Sequence, residues 1–456
     1  MFRTLLLCAV LAGCALTPPG PAPKPAVAQS WSAPLPHEGK PESLAQWWAQ
    51  FEDPQLVRLI DATQQHNGDL LQAAARIDEA RANMRIAGAA AYPSVTGSGR
   101  ATRSRSLIPF PTGTVNSTTL GVDALWEIDL FGVTKNNLRA AAARAESAQA
   151  SWHDLRVSLA AEVASTYISL RACERLVDVY TQDAASQQRR AELTQLKVKA
   201  GLESTANGAL SGASAADASN RLIGQRAECE VLVKVLVALS TVPEQELRSL
   251  LAERSSRLPE PKAFQVEAVP AKWLEQRPDL VALEREVLAA SGDIGAAQAD
   301  RYPRVSLSGN ISRVSASIAG GKVSGNSWSI GPAVSLPIFD AGRRAGAVDA
   351  AEARYMEARA RYEQRARVAV REVEEALVRL DAATRREADA QKAAFGFREF
   401  FDAAQARWDV GAGSLLDLEE ARRNALTAAA ALVTVQRERV TAWVNLYKAV
   451  GGGWTQ

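Results

Sequence analysis

The stretch Arg301-Tyr302-Pro303-Arg304-Val305-Ser306-Leu307-Ser308-Gly309-Asn310-Ile311-Ser312 carries two signals that decide the fold. The Tyr-Pro pair ends a helical pattern, because proline disfavours helix in the residue before it. After it, apolar Val305, Leu307 and Ile311 alternate with small polar residues, the period-two pattern of a strand with unlike faces. A second alternating run, Trp328, Ile330, Pro332, Val334 and Leu336, follows a Gly- and Ser-rich loop over 315–325, so the two read as a hairpin.

The same pattern occurs earlier in the chain. Ala91-Tyr92-Pro93-Ser94-Val95 precedes Arg301-Tyr302-Pro303-Arg304-Val305 by 210 residues, and Gly132 with Gly342, Asp69 with Asp279, Ala143-Arg144 with Ala353-Arg354 and Gly201 with Gly411 keep that offset. The chain is therefore two copies of one unit. The expected segments are a leader over 1–13, a Pro- and Ala-rich tether over 14–41, and repeats over 42–258 and 259–456.

Strands are expected at about 94–103, 117–128, 304–314 and 326–337, with a Gly- and Pro-containing hairpin tip over 104–115. Each repeat opens with a helix, Leu56 to Ala90 and Asp279 to Ala299. From Asn136 to Ala200 there is neither Pro nor Gly, which at 1.5 Å per residue gives a helix of about 97 Å. Its counterpart runs over 347–410, with Val348, Tyr355, Tyr362, Val370, Val373, Leu377 and Leu380 approximating a heptad seam. Half-length return helices follow over 207–239 and 415–450.

Composition sets limits on function. A net charge of +2 over 456 residues lacks the basic surplus of a nucleic-acid reader. With 6% aromatics, much of the 47% hydrophobic fraction is alanine, which suits long helices packed closely. His37, His66 and His153 show no metal-ligand spacing, and no nucleophile elbow or phosphate loop occurs, so an enzyme is not expected. No run of eighteen apolar residues exists for a helical membrane span. Strands of about ten residues do match a membrane barrel, but four cannot close, so the barrel must be shared between subunits.

Arg3, the apolar run Leu5 to Leu11 and the sequence Leu11-Ala12-Gly13-Cys14 form a signal peptide with a lipobox, making Cys14 the expected lipid-attachment residue. Ala15, not aspartate, follows it, which favours the outer membrane. Cys173 and Cys229 lie 28 residues before Gly201 and 25 after Ser204, at nearly one height on an antiparallel hairpin. An oxidising periplasm then favours a disulfide, with two buried thiols as the alternative.

With the lipobox, the doubled strand-pair and hairpin unit, Trp126 to Gly132, Arg277-Pro278-Asp279-Leu280, Pro337-Ile338-Phe339-Asp340-Ala341-Gly342 and the turn Gly411 to Asp417, the chain resembles the TolC-like outer membrane factors, lipoprotein (NodT-like or OprM-like) branch. The resemblance implies a mainly α fold with a transmembrane β-barrel: a homotrimer of four strands per protomer, making a twelve-stranded barrel with a long helical tunnel. It implies a lipid-anchored outer-membrane protein with a large periplasmic extension, acting as the passive exit duct of a tripartite efflux system. Its partners would be a periplasmic adaptor and an inner-membrane pump of the resistance-nodulation-division (RND) type, with no cofactor beyond the lipid on Cys14. Type I-like protein secretion and a non-conducting coiled-coil scaffold are the alternatives.

By position in the family, Leu416 forms an apolar constriction, and Asp417 and Glu420 form acidic rings at the periplasmic gate. Carboxylates also simply favour the first turn of a helix. Gly201, Ser204, Gly411 and Ser414 mark the hairpin turns that would meet the adaptor, and they serve as helix-hairpin turns in any case. The first copy has Asn207 where the second has Asp417, so the two tips are not expected to share a role.

Overall fold

The computed structural model describes residues 44–106, 113–260, 277–318 and 321–452. The expected leader, tether and lipidation residue Cys14 lie outside them, as do 107–112 and 319–320 at the hairpin tips. A 3-10 segment (Leu44–Phe51) leads into α1 (Pro54–His66), α2 (Gly68–Ala89), β1 (Ser94–Ser106), β2 (Gly113–Ile128), α3 (Val133–Lys199), α4 (Thr205–Ser240) and α5 (Glu244–Ala252). The second copy supplies α6 (Pro278–Ala299), β3 (Arg304–Ile318), β4 (Gly321–Ser335), α7 (Arg343–Asp409) and α8 (Leu415–Ala449). The internal repeat governs the elements themselves: Ser94 and Arg304, Val133 and Arg343, and Thr205 and Leu415 begin equivalent elements 210 residues apart.

The chain divides into two compact units that cut across the repeats, each drawing segments from both copies. The first holds residues 74–150 and 281–364 and contains the sheet. All four strands pair antiparallel in the order β1-β2-β3-β4. The β2–β3 pairing, Ile128 with Val305 through Val115 with Ile318, joins the two repeats. Strands of 13 to 16 residues exceed the expected lengths, because Ser104, Arg105, Ser106 and Val115 continue the ladder instead of entering the tip. β4 stops at Ser335, ahead of Leu336-Pro337, where proline has no N–H for a ladder bond.

Helices in this unit approach closely through small residues. A Cβ on Gly292 would lie 3.0 Å from the Asn136 carbonyl oxygen and the Ala140 methyl, and one on Gly295 2.8 Å from the Asn136 side chain. Glycine at both positions is what lets α6 lie against α3. Among the residues expected on the α7 seam, Val348, Tyr362, Val373, Leu377 and Leu380 are buried, and Tyr355 and Val370 half-buried.

The second unit, with described residues 44–73, 151–260, 277–280 and 365–452, holds the main apolar core. The 3-10 segment and α5, neither expected from sequence, deliver Trp47, Phe51, Leu247 and Leu251 to it. Tyr167 donates to Asp53 (2.8 Å), and buried Arg171 donates to Gln55 Oε1 (3.0 Å) and to the Leu251 carbonyl (2.8 Å). The expected continuous opening helix is broken at Asn67, whose backbone is extended (ψ 130). Its side-chain amide donates to the Leu239 carbonyl (3.1 Å) and its side-chain oxygen accepts from the Asp69 N–H (2.9 Å), so a tertiary bond and a cap replace one helical turn.

Candidate functional site

The two hairpin turns are built alike, and the sequence explains each bond. After α3, Gly201 is left-handed (φ +72), its N–H donating to Val198 O (3.0 Å) while Leu202 N–H donates to Lys197 O (2.8 Å). After α7, Gly411 (φ +75) donates to Trp408 O (2.9 Å) and Ala412 to Arg407 O (2.9 Å). These paired bonds satisfy the last carbonyls of a helix and call for glycine. Three residues on, Ser204 Oγ accepts from Asn207 N–H and Ser414 Oγ from Asp417 N–H, both at 3.1 Å, capping α4 and α8. Gly201, Ser204, Gly411 and Ser414 thus define two tight tips.

The tips differ in charge where the repeat diverges. Asn207 turns its amide onto Glu203 (2.8 Å), and this bond, with the Ser204 N–H, holds the Glu203 carboxyl below its ordinary range. At the second tip, Leu416, Asp417 and Glu420 occupy one exposed face of the first turns of α8, with Leu416 69% exposed. The opposite face, Leu415, Leu418 and Glu419, is buried, and Leu418 packs with Ala404, Phe401 and Trp408 of α7. The three residues expected at a gate therefore point away from the core of their own chain, placing an apolar side chain and two carboxylates at one level.

Behind that face lies a charge network that sequence reasoning missed. Glu419 accepts from Arg190 Nη1 (2.6 Å), Gln187 Nε2 (3.0 Å) and Arg422 Nε (2.9 Å). Arg422 donates to Asp183 (2.7 Å), which also pairs with Arg221 (3.5 Å), and Arg190 reaches Gln405 (2.7 Å). All four helices α3, α4, α7 and α8 are tied together. Burial pushes the Glu419 carboxyl up, but the Arg422 charge and the Arg190 hydrogen bond outweigh it, so Glu419 titrates below its ordinary value. One signal was available: Glu419 follows Leu415 by four residues, the spacing of a shared helix face.

A second network explains the Arg277-Pro278-Asp279-Leu280 run. Arg277 forks onto Asp279 (3.0 and 2.8 Å), reaches Glu372 (2.8 Å) and donates to Ala449 O (2.7 Å), closing a carbonyl at the end of α8. Arg365 bonds Asp279 (2.5 Å) and Glu372 (2.9 Å). Burial, and then the Asp279 charge, push the neighbouring Asp154 carboxyl up against the pull of Arg277 and Arg365. Further along the first hairpin, a disulfide joins Cys173 of α3 to Cys229 of α4, with Cα atoms 5.7 Å apart.

In the first unit the sheet has two unlike faces. Val95, Leu120, Val122, Ile311, Trp328, Ile330 and Val334 share one, and all are exposed. The other is polar: Ser98 donates to Asp123 (3.1 Å), which also accepts from Asn310 (2.6 Å). No described helix is long and apolar enough to cross a membrane. An outward apolar band with an inward polar face is the build of a transmembrane barrel wall.

These features define a channel protein of the outer membrane. The chain belongs to the outer membrane efflux protein family, whose model matches residues 59–231 and 269–452. It is 31% identical to the outer membrane protein OprJ of Pseudomonas aeruginosa, over 99% of this chain and 95% of that protein. It is 28% identical to the solvent efflux pump outer membrane protein SrpC of Pseudomonas putida, over 100% of this chain and 98% of that protein. Among solved structures, the outer-membrane channel OprN superposes with a TM-score of 0.84 at 29% identity, covering 96% of this chain and 98% of that one.

Proposed function

We propose that three copies of this chain assemble into a passive exit duct for a tripartite efflux system. The observation that carries this is the four-stranded sheet with one apolar and one polar face, ending on two open edge strands, β1 and β4. Such edges are intolerable in lipid, and side-by-side closure of three sheets removes them. The paired amphipathic strands also count against a non-conducting scaffold, which has no use for them.

In this duct the exposed face Leu416, Asp417 and Glu420 narrows the periplasmic mouth, concentrating carboxylates that admit cations and repel one another. The glycine-serine tips at Gly201, Ser204, Gly411 and Ser414 meet a periplasmic adaptor, which couples the duct to an RND-type inner-membrane pump. A lipid on Cys14 anchors the chain. The passengers are drugs, solvents or other small toxic compounds, a reading supported by the solvent efflux for which SrpC is named. Purified protein in a planar bilayer should give a small, cation-preferring conductance; a protein that inserts and never conducts would rule the duct out.

A further inference from the structure

We propose that Arg103, Arg105, Arg313 and Lys322 form a basic collar that binds phosphate-bearing headgroups of the lipid leaflet around the outer end of the barrel. This rests on the reading of the chain as an outer-membrane duct. The strand register places all four on the apolar face. Arg313 shares a row with Gly99, Leu120 and Asn326, one step beyond Ile311, Val122 and Trp328. Two rows farther out, Arg103, Asn116, Ser317 and Lys322 are aligned, and Arg105 opposite Thr114 follows. All four basic side chains are exposed.

Height fixes what they meet. Every strand joins its helix at the end bearing Ser94, Ile128, Arg304 or Ser335, so the collar lies at the far end. From the row of Ile128 to that of Leu120 is eight residues, about 27 Å along the strand and about 20 Å once tilted, close to the roughly 25 Å apolar band of such barrels. Arg313 then sits at the upper edge of the hydrocarbon, and the row of Arg103 and Lys322 about 10 Å above it, at headgroup level. The strands outrun the band by this margin.

Charge fixes the chemistry. No aspartate or glutamate occurs from Ala80 to Val122 or from Arg301 to Phe339, so the collar has no internal counter-charge on these strands. Three of the four are arginines, whose planar fork matches phosphate oxygens in pairs. Closing a ring of copies sets the strand of Lys322 beside the β1 of the next, so the collar becomes continuous around the barrel. The polar inner face carries Arg100 instead, which supplies an internal control.

The test uses full-length protein mixed with phosphatidylethanolamine vesicles containing either bisphosphorylated lipid A or its dephosphorylated form, with retained glycolipid counted by mass spectrometry. Wild type and R100S should retain the phosphorylated lipid about tenfold more than the R103S/R105S/R313S/K322S variant, and all should retain the dephosphorylated lipid alike. The double exchange R103S/K322S, confined to the row outside the apolar band, should show an intermediate loss even if the fourfold variant fails to assemble. Equal retention by wild type and R103S/K322S, or no preference for the phosphorylated lipid, overturns the collar. Conductance recorded on the same wild-type preparation separates the two readings: conduction without lipid selectivity sinks the collar alone, and selectivity without conduction sinks the duct.

Discussion

Arg190 Nη1 lies 2.6 Å from Glu419 Oε1, joining the first helical hairpin to the second two residues after Asp417, on the buried face of α8. The pair is nearly enclosed, with side-chain exposures of 6% and 10%. Truncating one partner of an enclosed pair costs about 3–5 kcal/mol when the other charge is left uncompensated; here Glu419 keeps Arg422 and Gln187, so the loss of Arg190 costs less than that. Arg190→Ala is therefore expected to loosen the second tip and raise single-channel conductance. Unchanged conductance would mean that the network only stabilises the helices.

Acid should act on the same bond. Glu419 titrates below its ordinary 4.5, so its contribution is complete above about pH 4.5 and is lost as pH falls through the depressed value. Conductance recorded from pH 8 downward should stay flat to about pH 5 and rise only in stronger acid. A rise centred near neutrality would exclude Glu419 as its cause.

In the proposed duct, the exposed carboxylates of the second tip would act on the passing ion instead. Asp417→Ala with Glu420→Ala should weaken cation preference and increase conductance, read from reversal potentials in a salt gradient. An inert double variant would remove both from the gate.

The disulfide closes a loop of 56 residues, for which chain-entropy arguments give about 4 kcal/mol of stabilisation. Cys173→Ser with Cys229→Ser should lower the thermal midpoint of the purified protein. In wild type, both thiols should be alkylated only after reduction, and ready labelling of the unreduced protein would contradict the bond.

Asp154 carries the opposite sign. Its raised value means that ionisation is disfavoured in the fold, so stability is complete at low pH and falls as pH rises through that value. Asp154→Asn should raise the thermal midpoint at pH 7, and the gain should vanish in acid.

Much of this was legible because two elements state each rule. The Tyr-Pro stops, the alternation after Val305 and the Gly201 and Gly411 turns are local signals, and the 210-residue offset let one copy correct the other. What stayed hidden depends on partners distant in sequence. Asn67 breaks its helix through a bond to Leu239, and Glu419 is held by Arg190 from 229 residues away. The strand ends were underestimated because Ser104 to Ser106 resemble a loop until Thr114 and Val115 are seen opposite them.

Whether this chain is an efflux exit duct is tested most directly by a susceptibility panel of antibiotics, dyes, detergents, solvents and metal ions. The panel is run on a deletion strain lacking parallel exit channels, complemented with wild type or with empty vector. A duct predicts hypersensitivity to part of the panel with empty vector and restoration by the wild-type chain. An unchanged profile on deletion would contradict it.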